Sequence, residues 1–379
     1  TGNLEEAEKK LALSNRSKQM RRVHNFSAGP CTLPLEVLEE TQSEFLNFAG
    51  NGMSIIEDSH RGYSYEKIQQ DALASFRRLA DVPDDFALLF LQGGATLQFA
   101  QTAMNLLAES ETAGYVNTGV WGQKALEDAS KVANIYEAWS GEDTSFTTTP
   151  NRNEIGLKED TKWLHITSNE TIGGVRFRHF PDVDIPLVAD MSSDFLSRSI
   201  DWDKFDLVYG GAQKNLGPAG LVVVIVRRES LGKHGRNLPT YLDYQFHDEN
   251  DSLGNTPPMF PIYVMGKVLG WMEKNGGLEE FERRAEIRSS LLYEVIDNSD
   301  GWYSSPVATD SRSLMNIIFH LPDETLESRF LEEATALDLI NLKGHRSVGG
   351  VRTSLYNAMP VESVEILTNF MKDFLKTNG

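Results

Sequence analysis

A mostly parallel α/β sheet in a large domain, followed by a smaller α+β C-terminal domain, is the fold class that this sequence predicts. Three observations carry it. Short apolar runs recur as FALLFLQ (86–92), KWLHITS (162–168), PLVADMS (186–192), DLVYGGA (206–212) and LVVVIVR (221–227), and they are continuous rather than alternating. Strands buried on both faces read this way. Stretches of helical spacing separate several of them, and beyond about residue 276 the pattern changes to a long charged helix, an apolar strand LMNIIFH (314–320) and two more helices. With 379 residues, the chain is long enough for two domains or for one large domain with an appendage.

Residues 1–24 are polar, with Glu-Glu, Lys-Lys and Arg-Arg doublets, and read as a tail. Glu5, Glu6 and Glu8 are unlike the acid-poor segments that address proteins to organelles, and no apolar signal region is evident. Pro30 and Pro34 frame a turn, after which Leu35, Leu38, Phe45 and Leu46 recur at helical spacing. Tyr65 to Leu79 reads as a second helix, with Ile68, Leu73 and Phe76 on one side. The strand at 86–92 is followed by Gly93-Gly94 and a helix from Thr96 to Leu107, and the same cycle repeats through 114–139. No internal repeat or low-complexity segment interrupts this order.

Hydrophobic residues make up 40% and charged residues 24%, a globular balance. The formal charge of −19 repels phosphate backbones and so argues against nucleic acid as a partner. It leaves room for small anions, since a local arginine cluster can reverse the field within a cleft. Cys31 is the only cysteine, which excludes an internal disulfide and suits a reducing compartment such as the cytoplasm. The longest purely aliphatic run, Leu221–Val226, is far short of the roughly 20 residues that span a bilayer, so no membrane association is expected.

Ligands of open α/β sheets collect beyond the carboxyl ends of the strands, so the residues following each run are the candidates. Gly93-Gly94-Ala95-Thr96 opens a helix, and bare N–H groups at such a start cradle phosphate. A tight turn also needs glycine for backbone reasons alone. The segment matches neither the dinucleotide fingerprint nor the nucleotide P-loop. Asp190 ends one run, as a cap or as a buried charge with a partner. Lys214 lies between two runs predicted to be buried; it is either an outward loop lysine or a desolvated one whose neutral amine can act as a nucleophile. Cradle, acid and lysine together suggest pyridoxal phosphate, which needs all three. Trp121 could stack on a flat ring or serve the core. His60-Arg61 and His345-Arg346, with Arg352 nearby, form two basic clusters suited to carboxylate and phosphate. There is no CxxC, no HExxH and no glycine-flanked serine elbow at Ser27 or Ser192-Ser193, so metal and serine-hydrolase readings are set aside.

Six segments carry a resemblance to a known family: NFSAGP (25–30), SHRG (59–62), SNETI (168–172), GAQKNLGPAG (211–220), NTPP (255–258) and GHRSVGGVR (344–352). From about residue 24 onward the chain closely resembles the phosphoserine aminotransferase family, class V aminotransferases of fold type I that work as homodimers with pyridoxal 5'-phosphate. The resemblance implies a large cofactor-binding domain over 35–275 and a small domain formed by 25–34 with 276–379. It implies Lys214 as the Schiff-base lysine and proton shuttle, Asp190 as the partner of the pyridine nitrogen, Trp121 as the stacking ring and Thr171 near the phenolic oxygen. Ala95, Thr96 and Gln213 would hold the phosphate, with Asn255 and Thr256 reaching in from the neighbouring subunit. His60, Arg61, His345, Arg346 and Arg352 match substrate positions, His60 and Arg61 being expected from the partner chain. Glutamate, phosphoserine and their 2-oxo acids are the implied ligands, in a serine-biosynthesis transamination. Some members carry Ser where Ala28 stands and Gly-Arg where Ala95-Thr96 stand. A serine:glyoxylate-type aminotransferase and a non-catalytic carrier of the cofactor are the competing readings. A cysteine desulfurase is disfavoured, because nothing in the sequence suggests that Cys31 reaches the lysine, and Cys31 is left outside the chemistry.

Overall fold

In the computed structural model, which describes residues 22–379, the chain begins with a two-residue strand β1 (His24–Asn25) and helices α1 (Leu35–Glu44) and α2 (Tyr63–Ala80). Strand β2 (Phe86–Gly93), helix α3 (Ala95–Leu106), strand β3 (Thr112–Asn117), helix α4 (Val120–Ser130) and strand β4 (Asn134–Ser140) then alternate. Strands β5 (Thr161–Thr167), β6 (Leu187–Asp190), β7 (Phe205–Gly211) and β8 (Gly220–Arg227) follow, then helices α5 (Tyr244–Glu249), α6 (Met259–Lys274) and α7 (Gly277–Asp297). The chain closes with β9 (Asn316–Phe319), α8 (Glu324–Ala336), β10 (Leu339–Ile340), β11 (Val351–Ser354) and α9 (Val361–Asn378). Most of the tail read over residues 1–24 lies outside the described residues. Near its end, Arg22 already donates to the Leu33 carbonyl at 2.6 Å and to Thr32 Oγ1 at 3.1 Å.

Seven strands form one sheet in the order β2-β8-β7-β6-β5-β3-β4. It is parallel except for β8, which runs against both of its neighbours. The reversal has a simple cause. Residues 212–219 are too few for the roughly dozen-residue crossover that a parallel neighbour needs. Side chains of β8 alternate between faces, and both faces are covered: Leu221, Val223 and Ile225 pack with Ile262, Met265 and Leu269 of α6, whereas Val222, Val224 and Val226 pack with Phe99 and Ala103 of α3. That two-sided burial explains why the run reads as unbroken apolar sequence. Truncating Leu207, which is fully buried on β7, is expected to cost about 2–5 kcal/mol, read as a lower urea midpoint at unchanged slope.

Helix α1 forms where the spacing predicts a helix. Its buried residues are Val37 and Thr41, while Leu35, Leu38, Phe45 and Leu46, the positions that suggested the helix, are 43%, 39%, 37% and 81% exposed. The apolar stripe exists but faces away from this chain's core. Met53, Ile56 and Tyr63 extend the same exposed apolar character.

A separate core joins Phe26 to residues of the C-terminal elements. Phe26 packs with Leu292, Phe319, Phe330 and Phe374. Strand β1 pairs in parallel with β10, and β9 pairs antiparallel with β11. Residues 24–26 therefore sit with the C-terminal elements.

Candidate active site

Because β2, β3, β5 and β6 are parallel, their carboxyl ends deliver Gly93–Thr96, Gly119–Trp121, Ser168–Thr171 and Asp190–Ser192 to one edge of the sheet. The short β7–β8 link adds Lys214. Its side chain is 8% exposed, and Nζ donates to Thr171 Oγ1 at 2.6 Å and lies 5.5 Å from the centre of the Trp121 ring. Burial lowers the Lys214 pKa from its ordinary value, with Asp190 and Glu170 pulling it back up and Arg352 pushing it further down.

The N-terminal loop is clamped onto this lysine. Gly29 has φ +142°, and a Cβ there would lie 3.2 Å from Lys214 Cγ, so the close approach needs glycine. Cys31 N–H donates to the Gln213 carbonyl at 3.1 Å, and Cys31 Sγ contacts the Lys214 carbonyl. This corrects the expectation that Cys31 has no reach to the lysine. Contact is with the lysine's main chain, and burial pushes the thiol up to about 12, which keeps it protonated and unreactive.

Asp190 is buried at the end of β6. Its Oδ1 accepts from Ser192 N–H at 2.8 Å and Ser192 Oγ at 2.6 Å, while Ser192 Oγ accepts from Gly211 N–H at 3.0 Å. No described residue hydrogen-bonds Oδ2. Burial raises the Asp190 pKa, against the attraction of Lys214 and the two Ser192 donors.

Glu170, absent from the sequence-based candidates, is fully buried, and the charges of Asp190 and Lys214 both act on it. It accepts from the main-chain N–H groups of Trp121 at 3.1 Å and Gly122 at 2.8 Å. Burial is the largest influence on its carboxyl and pushes it up to about 7, opposed by those two donors. Its place between Asn169 and Thr171, just past a strand end, was the available signal.

At the start of α3, Gly94 supplies no side-chain cap, and a Cβ built on Gly93 or Gly94 meets nothing within 4 Å. Ala95 and Gln213 are half-buried and Thr96 is exposed. Arg352, on β11, is half-buried. His345 and Arg346 stand in the preceding Gly344–Gly350 turn, which closes so tightly that a Cβ at Gly344 would collide with the Gly349 carbonyl. His345 is held below its ordinary pKa, first by burial and then by the charges of Arg352, Arg346 and Lys124. The chain thus gathers Lys214, Asp190, Trp121 and Thr171, with the cluster of Arg352, His345 and Arg346 adjoining them. His60 and Arg61 are not gathered with them. His60 is half-buried and Arg61 exposed, and among the described residues no hydrogen bond or ion pair joins either to that group. Asn255 and Thr256 stand beside the end of β2, where the Thr256 carbonyl accepts from Gln92 Nε2 at 2.5 Å and from Asn255 Nδ2 at 3.1 Å.

The site has three unmet demands: Asp190 Oδ2 without a partner, the Trp121 Nε1 buried and unpaired, and an uncapped helix start opening on free space. A flat ring with a protonated nitrogen and a phosphate satisfies the first and third, and a neighbouring lysine out of water suits a carbonyl on that ring. The residues present fit pyridoxal phosphate.

Comparison with known proteins agrees with this geometry. The family model described as "Aminotransferase class-V" matches residues 23–367. A curated phosphoserine aminotransferase of Lysinibacillus sphaericus is 47% identical over 355 residues, covering 93% of this chain and 98% of the relative. Among solved structures, the phosphoserine aminotransferase from Bacillus circulans subsp. alkalophilus superposes with a TM-score of 0.92 at 48% identity, covering 94% of this chain and 99% of that one. A pyridoxal-phosphate-bound phosphoserine aminotransferase from Trichomonas vaginalis gives 0.88 at 37% identity, covering 93% of this chain and 100% of that one.

Proposed function

The chain belongs to the class-V aminotransferase family, and from that premise we propose that it carries out the reaction of a phosphoserine aminotransferase: 3-phosphohydroxypyruvate plus glutamate exchange with O-phosphoserine plus 2-oxoglutarate. Pyridoxal phosphate is its cofactor and, when bound, supplies the electron sink that stabilises negative charge at the substrate's Cα. The observation that carries the reading is Lys214, a buried amine set among Thr171, Trp121 and Asp190.

Lys214 would hold the cofactor and then move the proton at its Nζ to and from the substrate's Cα, a task for which its lowered pKa suits it. Asp190 would present Oδ2 to the ring nitrogen and keep it protonated, with Ser192 fixing the carboxylate's rotation. Trp121 would cover the ring, and Thr171 would sit near the phenolic oxygen. The phosphate would rest on Ala95, Thr96 and Gln213. Arg352 would take the α-carboxylate that both amino donors share, leaving His345 and Arg346 to meet the second anionic group. Lys124, whose charge reaches His345, adds to the field at that end.

Two copies complete this site. Leu35, Leu38, Phe45, Leu46, Met53, Ile56 and Tyr63 are exposed apolar residues within 35–63, the stretch that also carries His60 and Arg61. Covering them with a second copy would remove their surface from water and bring in His60 and Arg61 of the partner subunit, together with the partner's Asn255 and Thr256. Residues 35–275 would form the large domain, and 25–34 with 276–379 the small one. The single thiol suits the cytoplasm.

A coupled assay with phosphoserine against serine as amino donor tests the reading. Turnover with phosphoserine and little with serine is expected; the reverse preference would favour a serine:glyoxylate-type enzyme. Adding glutamate alone should bleach the yellow of the purified protein as the cofactor becomes its amine form, and persistent colour would point to a carrier. Arg61→Ala is expected to raise the KM for phosphoserine about 10- to 100-fold, the worth of a charge-assisted hydrogen bond, at an unchanged visible spectrum. An unchanged KM would remove Arg61 from the site.

A further inference from the structure

We infer that Glu170 is the positioning residue that sets the Trp121 indole over the active-site lysine, by holding the first turn of α4 through two main-chain hydrogen bonds. The inference rests on the aminotransferase reading of the site and deepens it, since none of the roles above uses Glu170.

A helix start leaves four N–H groups without partners inside the helix. In α4 two of them, those of Trp121 and Gly122, go to Glu170 at 3.1 and 2.8 Å. The local sequence cannot supply this cap, because the N-cap residue is Gly119. Nor can a capping side chain be added there: a Cβ on Gly119 would lie 2.8 Å from Glu170 Cδ. The missing side chain and the remote carboxylate are two halves of one arrangement. A carboxylate suits the place, because it accepts both hydrogen bonds and complements the positive end of the helix. Burial opposes this, and the charged groups facing it are Asp190 from β6 and Lys214 from the β7–β8 link.

Trp121 depends on that cap more than most tryptophans would. Its Nε1 is buried without a partner, so no hydrogen bond at the far end of the indole fixes the ring. The ring packs against the core that holds Phe99 and Tyr209, with Lys124 Nζ 4.7 Å from its centre, and the main chain of its own turn, which Glu170 grips, sets where it meets them. Glu170 is itself held at both ends of a tight turn, with its N–H on the Val175 carbonyl at 2.7 Å and its carbonyl on Gly174 N–H at 2.8 Å. The next residue, Thr171, meets Lys214 Nζ at 2.6 Å. Lysine and indole are thus indexed to consecutive residues of one rigid turn.

The test compares holoenzymes of wild type, Glu170→Ala, Glu170→Gln and Gly119→Ala. Two quantities are read: the visible circular dichroism of bound pyridoxal phosphate, and kcat and KM for phosphoserine. Glu170→Ala should lose most of the dichroism and about 10- to 100-fold in kcat, at unchanged KM. Glu170→Gln keeps one acceptor oxygen and should fall between wild type and alanine. Gly119→Ala keeps the carboxylate but displaces it, and should behave like Glu170→Ala. Wild-type dichroism and kcat in Glu170→Ala overturn the inference; if that protein does not fold, wild-type values in both other variants do the same. Should wild type bind the cofactor yet not turn over phosphoserine, the reaction assignment fails, and the dichroism comparison alone still decides for or against Glu170.

Discussion

Replacing Lys214 by alanine lowers transamination by at least about 10³-fold, within the range that a positioned proton-transfer group contributes, while the protein still folds. The variant removes the amine that would hold the cofactor and the group that would carry the Cα proton. It should not weaken the fold. Two consequences for stability oppose each other: the cost of desolvating the lysine, which its lowered pKa records, is relieved, while buried Asp190 and Glu170 lose their counter-charge and take up protons more readily. Rapid mixing with glutamate would read the loss of the half-reaction, and thermal unfolding of the cofactor-free protein would read stability. Turnover within tenfold of wild type would take Lys214 out of the mechanism.

Asp190→Asn is the second large effect, and its two parts have opposite signs. Activity falls by about 10²-fold or more, since asparagine cannot stabilise a protonated ring nitrogen. Stability of the cofactor-free protein does not fall with it. The folded-state pKa of Asp190 is raised by burial. Between the unfolded value of about 3.9 and that raised value, the native state binds the extra proton, so wild type loses stability as pH rises through this window. Asparagine removes that dependence, and its Oδ1 can still accept from Ser192 N–H and Oγ. Urea midpoints from pH 4 to pH 7 should therefore decline less in Asp190→Asn than in wild type. An equal decline would mean that Asp190 is not what burial penalises.

Much of this was legible in the sequence, and the exceptions have physical reasons. The β8 run shows burial on both faces because a strand covered twice has no polar positions to spare. Asp190 and Lys214 could be picked out because each directly follows or joins such runs. Helix α1 stands where the spacing predicts it, but periodicity reports that an apolar stripe exists, not which surface receives it, and this one is left outside the chain's own core. Glu170 escaped because a buried carboxylate looks like any other acid until its two main-chain donors, about fifty positions away, are folded against it. Cys31 escaped in the same way, its contact with Lys214 spanning 183 residues.

That last contact has a bearing on how the enzyme comes into being. The loop that clamps the lysine lies early in the sequence, yet its anchor lies far along it: β1 pairs with β10, and Asn341 Nδ2 binds Asn25 Oδ1 across 316 residues. During synthesis the sheet's strands emerge and can pair well before β10 does. The clamp closes only once residues near 340 have left the ribosome, when chain closure over so long a loop has been met by the rest of the fold. Locking of the lysine therefore falls in the same late stage as the arrival of His345, Arg346 and Arg352, which follow β10 in the chain.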